Sequence, residues 1–595
     1  MTPHHGQDHW QDPWQEFPPH VLREYALLAD GHRGALCGPH GDLVWLCAPR
    51  WDSDAVLSSL IGGEGMYAVT PSATSVWGGY YEPRTLIWRS RWVTTDGIIE
   101  SREALAYPAD PHRAVVLRQV RPISGSGAVD VVLELRAGFG AHPMRELHRN
   151  DDGTWTARSG ELNMRWSGGR HARVDERGAL RVHLDVPAGS WHDLVLEISD
   201  RPLPEPPDPQ VAWAATAHAW AEQVPEMAHT AAPRDARHSY AVLRGLTEPG
   251  GGMVAAATLG LPERAGAGRN YDYRYVWLRD QAYTGVAAAV TEPLPLMDDA
   301  VAFATARLLE HGSDLVPAYR VDGSDLPAER SLSLPGYPGG SDVVGNWVRD
   351  QTQLDTFGEI LQLFGAAARH DHLDSDAHRA MSIAVKVIET TWAQPDNGIW
   401  EIERAWWTQS RLACVAGLRT IAELEPPKES ARLESLAERI LVETSRRCLD
   451  TTGVWRRSPE HPGTDASLLL PPVRGALAAT DPRTRATLEA IEQDLTEDGY
   501  VYRFAHDGRA LGAAEGAFLL CGFSMALAMW HQGRQTEAFR WFERNRAACG
   551  PPGLRSEEYD VQQGQLRGNI PQAFVHALLM ESATRLPDAP PNEIA

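Results

Sequence analysis

Between Val129 and Leu135 apolar and polar positions alternate: Val129, Val131, Leu133 and Leu135 are interleaved with Asp130, Val132 and Glu134. Leu180, Val182, Leu184 and Val186 alternate in the same way with Arg181, His183 and Asp185, and a Pro-Ala-Gly-Ser turn follows. A period of two puts one set of side chains on a buried face and the other in water, so both stretches predict antiparallel strands. Turn clusters such as Asp151-Asp152-Gly153 punctuate this region. Many short strands with turns between them predict a β-sandwich over residues 21–200.

From residue 211 the period lengthens. Leu433, Leu436, Ile440 and Leu441 fall on one face of a helix, as do Leu488, Ile491 and Leu495. Ala, Leu, Glu and Arg, all good helix formers, surround them. Loops such as Glu248-Pro249-Gly250-Gly251-Gly252 and Gly550-Pro551-Pro552-Gly553 carry turn chemistry. At roughly thirty residues per helix and loop, about twelve helices fit into residues 211–587. No repeat recurs at a fixed period, so a solenoid is not indicated. Between the two regions, Arg201-Pro202-Leu203-Pro204-Glu205-Pro206-Pro207-Asp208-Pro209 favours extended polyproline geometry and predicts a linker over 201–210. Residues 1–20 and 588–595 are polar or Pro-rich and are expected to be disordered tails.

Composition narrows the function classes. A chain of 595 residues exceeds one ordinary core, in keeping with two domains. The net charge of −23 disfavours nucleic acid and anionic membrane surfaces, whose phosphates it would repel. No segment offers the ~18 uninterrupted apolar residues of a membrane span, and the start of the chain lacks the features of a secretory signal. The six cysteines form no Cys-x-x-Cys pair and no zinc spacing. These features predict a reduced, cytoplasmic protein with no cofactor and no metal. They leave assembly into a homo-oligomer open.

The chemistry centres on Asn270-Tyr271-Asp272-Tyr273-Arg274-Tyr275-Val276-Trp277-Leu278-Arg279-Asp280, which runs into an apolar, helix-compatible segment. Asp280 can cap that helix, and the stretch can equally floor a pocket, with rings to stack on a sugar and an Arg-Asp pair for its hydroxyls. Tyr-x-Tyr-x-Trp-x-Arg-Asp resembles the signature of glycoside hydrolase family 15, the glucoamylases and their bacterial trehalase-like relatives. Asp396-Asn397-Gly398-Ile399-Trp400-Glu401 follows in that family's order. So does Ser556-Glu557-Glu558-Tyr559-Asp560 with Gly568-Asn569-Ile570-Pro571-Gln572-Ala573-Phe574.

The resemblance implies an (α/α)6 toroid behind the sandwich and an inverting, exo-acting hydrolase that releases glucose from α-glucosides, isomaltose-type substrates included. Trehalase activity on the same scaffold is the alternative. A non-hydrolytic carbohydrate-binding or biosynthetic protein is the third reading, and a small carbohydrate is the expected partner in each. Inversion needs one protonated and one ionised carboxyl group on opposite faces of the sugar. By motif, Glu401 takes the general acid's place and Glu557 the base's, with Glu403 and Glu558 as the nearest rivals. Tyr273, Trp277, Arg279, Asp280 and Trp400 match the substrate pocket, and Trp406 and Trp407 are candidates for stacking or core packing. The segment Ile402 to Trp407 departs from many bacterial relatives and should border the leaving group. Arg50, Trp51 and Asp52, with Arg349 and Asp350, are weaker binding candidates for which packing or a local ion pair is as good a reading.

Overall fold

The computed structural model describes residues 18–506 and 509–588; apart from residues 18–20 and Asp588, both expected tails lie outside the described residues. Residues 26–199 build two eight-stranded antiparallel sheets. One runs Ala26–Ala29, Gly34–Cys37, Asp42–Cys47, Met66–Pro71, Gly127–Glu134, Leu180–Val186, Arg173–Val174, with Ala55–Leu57 paired to its third strand. The other runs Arg145–Arg149, Trp155–Ser159, Leu162–Ser167, His192–Ser199, Arg113–Ser124, Ile98–Leu105, Trp88–Thr94, Ser75–Tyr81. The two stretches that alternate most regularly are partners: Val129 faces Leu184, Val131 faces Val182 and Leu133 faces Leu180. All of these but Leu184 are buried. Inner faces of both sheets share one core, with Val131, Leu133 and Leu180 packed in the same cluster as Trp92, Val116 and Leu196. Each such side chain contributes about 1.5–3 kcal/mol by leaving water.

The Pro-rich run ends by opening a helix, α1 (Pro209–Gln223). Asp208 accepts from the backbone N–H groups of Gln210 at 2.8 Å and Val211 at 3.0 Å. Proline suits the first helical position because its missing N–H would be unpaired there. Among the described residues twelve more helices follow: α2 (Pro233–Leu246), α3 (Leu278–Ala287), α4 (Pro295–His311), α5 (Asp355–Ala368), α6 (Ser375–Thr391), α7 (Thr408–Ala422), α8 (Pro427–Cys448), α9 (Leu470–Val473), α10 (Pro482–Asp494), α11 (Leu519–His531), α12 (Gln535–Arg546) and α13 (Ala573–Arg585). The odd-numbered members from α3 onward pack each on the next, and α13 packs back on α3. That closes a six-membered inner ring, with α2, α4, α6, α8, α10 and α12 outside it, an (α/α)6 toroid. Burial follows the layers: every residue of α3 and α11 is buried, whereas α8 buries Leu433, Leu436, Ile440 and Leu441 and leaves its other face wet.

The sandwich is bolted to the toroid by buried polar contacts. The Trp45 indole N–H donates to the Ala257 carbonyl at 2.8 Å. Arg274 pairs with Asp272 at 2.7 Å and donates across the boundary to the Ser53 carbonyl, also at 2.7 Å. Both members of the pair are buried. Replacing Arg274 by Met should cost about 3–5 kcal/mol, because it strands the Asp272 carboxylate without its partner. Urea denaturation should show the first unfolding transition at a clearly lower midpoint; an unchanged midpoint would mean that the pair does not hold the boundary.

Candidate active site

An extended backbone presents alternate side chains to opposite sides, and residues 271–277 use both. Asp272 and Arg274 face the sandwich, while Tyr271 and Tyr273 line a pocket on the other side, their rings parallel with centroids 6.3 Å apart. Val276–Trp277 pairs with Ala318–Tyr319, and α3 starts at once. Trp277 occupies the capping position of α3, so Asp280 is not its cap. Asp280 lies inside the first turn, where a carboxylate is favoured by the helix dipole.

The loop that carries Glu401 is folded on itself. Asp396 bridges to Ala405, and the Asn397 side-chain amide donates to the Ile402 carbonyl at 2.7 Å. The Glu401 N–H donates to the Gly398 carbonyl at 3.1 Å. Glu401 itself has φ +56°, the left-handed region, which costs a residue with a Cβ about 1–2 kcal/mol. The contacts it gains are directional. The Trp277 indole N–H donates to its Oε1 at 2.7 Å, and the Arg279 guanidinium approaches the same oxygen at 3.4 Å while holding the Ile399 carbonyl at 3.0 Å. Trp400 is fixed beside it by an indole N–H bond to Asp465 at 2.9 Å.

Glu557 comes from the other side of the ring, in the loop ahead of the strand Glu558–Asp560, and its carbonyl accepts from the Leu519 N–H at 3.0 Å. The Tyr273 hydroxyl donates to its carboxylate at 3.0 and 3.2 Å. Burial and the neighbouring Glu263 push the Glu557 carboxyl well above its ordinary range, against the pull of Arg503 and the Tyr273 hydroxyl. Burial and Glu557 together raise the Tyr273 phenol, so it stays protonated and donates. Asp280 is pushed up to about 6 by burial, opposed by the Arg279 charge 3.4 Å away.

Tyr273, Arg279, Trp400, Glu401 and Glu557 line one pocket of about 580 Å³, its open mouth included. Trp277 reaches it through its bond to Glu401. The remaining candidates lie elsewhere. Asp280 is fully buried behind Arg279. Glu558 is buried off the pocket wall and accepts from the Gly516 N–H at 2.7 Å. Glu403 is exposed and pairs with His461 at 3.1 Å, and Trp407 stacks on that same imidazole. Trp406 is packed between the guanidinium groups of Arg411 and Arg447, 4.5 and 5.0 Å from its ring. Arg50 pairs with Asp52 and Asp322, Trp51 is buried with its N–H on the Gly31 carbonyl, and Arg349 pairs with Asp350.

Sequence reasoning missed Glu263, Arg269 and Arg503, which line the same pocket. Tyr271, Ile399 and Phe574, quoted within motifs, also stand on the wall, as does Ile402, expected to border the leaving group, and Trp347 joins them. The three charged residues sit in loops, and the available signal was only that buried arginines need carboxylates. Glu515 supplies one, pairing with both Arg269 and Arg503. Among the described residues no cluster of three or more His, Cys, Asp or Glu could hold a metal, and no helix is long and apolar enough to cross a membrane.

Residues 237–584 match the family model Glycosyl hydrolases family 15, and residues 16–199 match Trehalase-like, N-terminal. A trehalase of Mycolicibacterium smegmatis is 30% identical over 624 residues, covering 96% of this chain and 91% of the relative. A trehalase of Mycobacterium tuberculosis is 29% identical over 616 residues, covering 96% and 90%. An isomaltose glucohydrolase of Kribbella flavida is 28% identical over 369 residues, covering 58% of this chain and 83% of the relative. A bacterial glucoamylase crystallised with acarbose superposes with a TM-score of 0.72 at 12% identity, covering 96% of this chain and 94% of that one, a likeness of fold alone. Family match and near full-length relative agree: this chain belongs to glycosyl hydrolases family 15 and is a glycoside hydrolase.

Proposed function

We propose that the chain is a trehalase, hydrolysing the α,α-linkage of trehalose with inversion. The observation that carries this reading is the alignment of nearly the whole chain, sandwich and toroid together, with relatives named trehalase. Glucoamylase-like release from other α-glucosides, the first expectation from sequence, gives way to its alternative on that ground. It keeps support from the shorter match to an isomaltose glucohydrolase.

In this reading Glu557 takes a proton from water as the oxygen attacks the anomeric carbon. Glu401 gives its proton to the departing glycosidic oxygen on the opposite face. The Trp277 N–H fixes the orientation of Glu401, and Tyr273, held on Glu557, keeps the base aimed. Arg279, buried beside Glu401, supplies donors for sugar hydroxyls at the pocket floor.

Incubation with trehalose, maltose and isomaltose, followed by proton NMR, tests both substrate and stereochemistry. Trehalose should turn over fastest, and its first products should be α- and β-glucose in equal amounts. The attacked ring inverts while the released one keeps its configuration. Two α-anomers would indicate retention through a covalent intermediate. Faster release from isomaltose would select the second reading, and sugar release that consumes phosphate would exclude hydrolysis.

A further inference from the structure

One pocket residue has no part in that scheme. Glu263 lines the wall beside Glu557, is buried, and has one carboxylate oxygen, Oε2, without a hydrogen-bond partner. Gly568 passes between the two side chains. A Cβ placed there would lie 3.7 Å from Glu557 Oε2 and 3.9 Å from Glu263 Cγ, so both side chains reach the same glycine on the pocket wall. The Pro262 carbonyl holds this arrangement by accepting from the Gly568 N–H at 2.8 Å.

The groups around Glu263 come from several elements. Arg503 and Arg269 stand 3.8 and 3.9 Å from Oε2, and both are shared with Glu515, to which they are closer. His506 also pairs with Glu515, at 3.2 Å. Glu558, next to Glu557 in the chain and buried, adds a further like charge that acts on Glu263. Tyr271 and Tyr273 complete the surroundings. Four glutamates therefore meet two arginines in a buried site, and like charges this close do not all ionise.

We infer that Glu263 is a positioning residue that sets the pH at which Glu557 becomes free to act as a base. Ionised Glu263 disfavours a second negative charge on Glu557, and protonation of Glu263 removes that opposition. The inference rests on the proposed role of Glu557.

The test is the pH dependence of kcat/KM for trehalose. In Glu263→Gln the like charge is gone, Glu557 ionises more readily, and the acid limb should move to lower pH by about one unit. Arg503→Gln removes a favourable charge and should move the same limb to higher pH. If Glu263→Gln does not fold, Glu263→Asp serves: it keeps the charge but withdraws it by one methylene, and the limb should move down by less. A limb that stays put in a folded Glu263 variant, whatever happens to kcat, would overturn the inference, because a merely structural role lowers the plateau without moving the limb. A wild-type enzyme that hydrolyses no α-glucoside would instead sink the proposed function, and that is settled before any variant is made.

Discussion

Glu557→Gln should lower turnover by about two to four orders of magnitude on every substrate, the usual worth of general acid–base catalysis. The amide keeps the shape of the side chain and can still meet the Tyr273 hydroxyl, so binding should change little. What it cannot do is accept a proton from water, and every substrate needs that water whatever its leaving group. The rates of wild type and variant on trehalose and on α-glucosyl fluoride decide the matter: both should fall by a similar factor. Activity that survives on either substrate would show that another carboxylate, with Glu558 next in sequence, is the base.

Glu401→Gln should behave differently on the same two substrates. On trehalose the departing oxygen belongs to a second sugar and leaves poorly without a proton, so the loss should again be about two to four orders of magnitude. Fluoride departs without protonation, and there the loss should be much smaller. The ratio of the two losses is the signature of an acid, and equal losses would move Glu401 into a binding role. The variant should also keep the left-handed turn at residue 401, since the amide alters no backbone contact.

The raised Glu557 carboxyl gives a pH expectation with a definite sign. A base works only when ionised, so activity should appear as pH rises through the raised value and fade as pH falls through it. The acid limb of kcat/KM should therefore sit above the ordinary glutamate value of about 4.3. A limb at or below that value would show that the nearby Arg503 charge outweighs burial in the free enzyme.

Much of the fold was legible because two periods carry it. The alternation at 129–135 and 180–186 marks two strands that pair with each other. The stripe from Leu433 to Leu441 marks an outer helix with one wet face. Inner helices such as Leu519–His531 are buried all round and carry no stripe, so closure of the ring had to come from resemblance. In the site, motif residues adjacent in sequence were the legible ones: Tyr273, Arg279, Trp400, Glu401 and Glu557 meet at one pocket. The places of Trp406 and Trp407 were not legible, because an aromatic pair near a pocket loop has the same composition whether it stacks on sugar or on arginine and histidine. Glu263 and Arg269 share one loop and Arg503 comes from another far along the chain, and only folding makes them neighbours.

Tyr273 and Arg274 are consecutive residues pointing in opposite directions, one onto Glu557 and the other into the sandwich at Ser53. The ring that aims the base is thus braced from behind by a different domain. A chimera joining this toroid to a foreign sandwich would leave the Arg274 guanidinium held by Asp272 without its bond to Ser53, and the slack would pass through one peptide unit to the hydroxyl on Glu557. The exposed edge strand Arg145–Arg149 can be exchanged more readily by comparison, whereas the loop around residues 47–53 has to travel with the toroid.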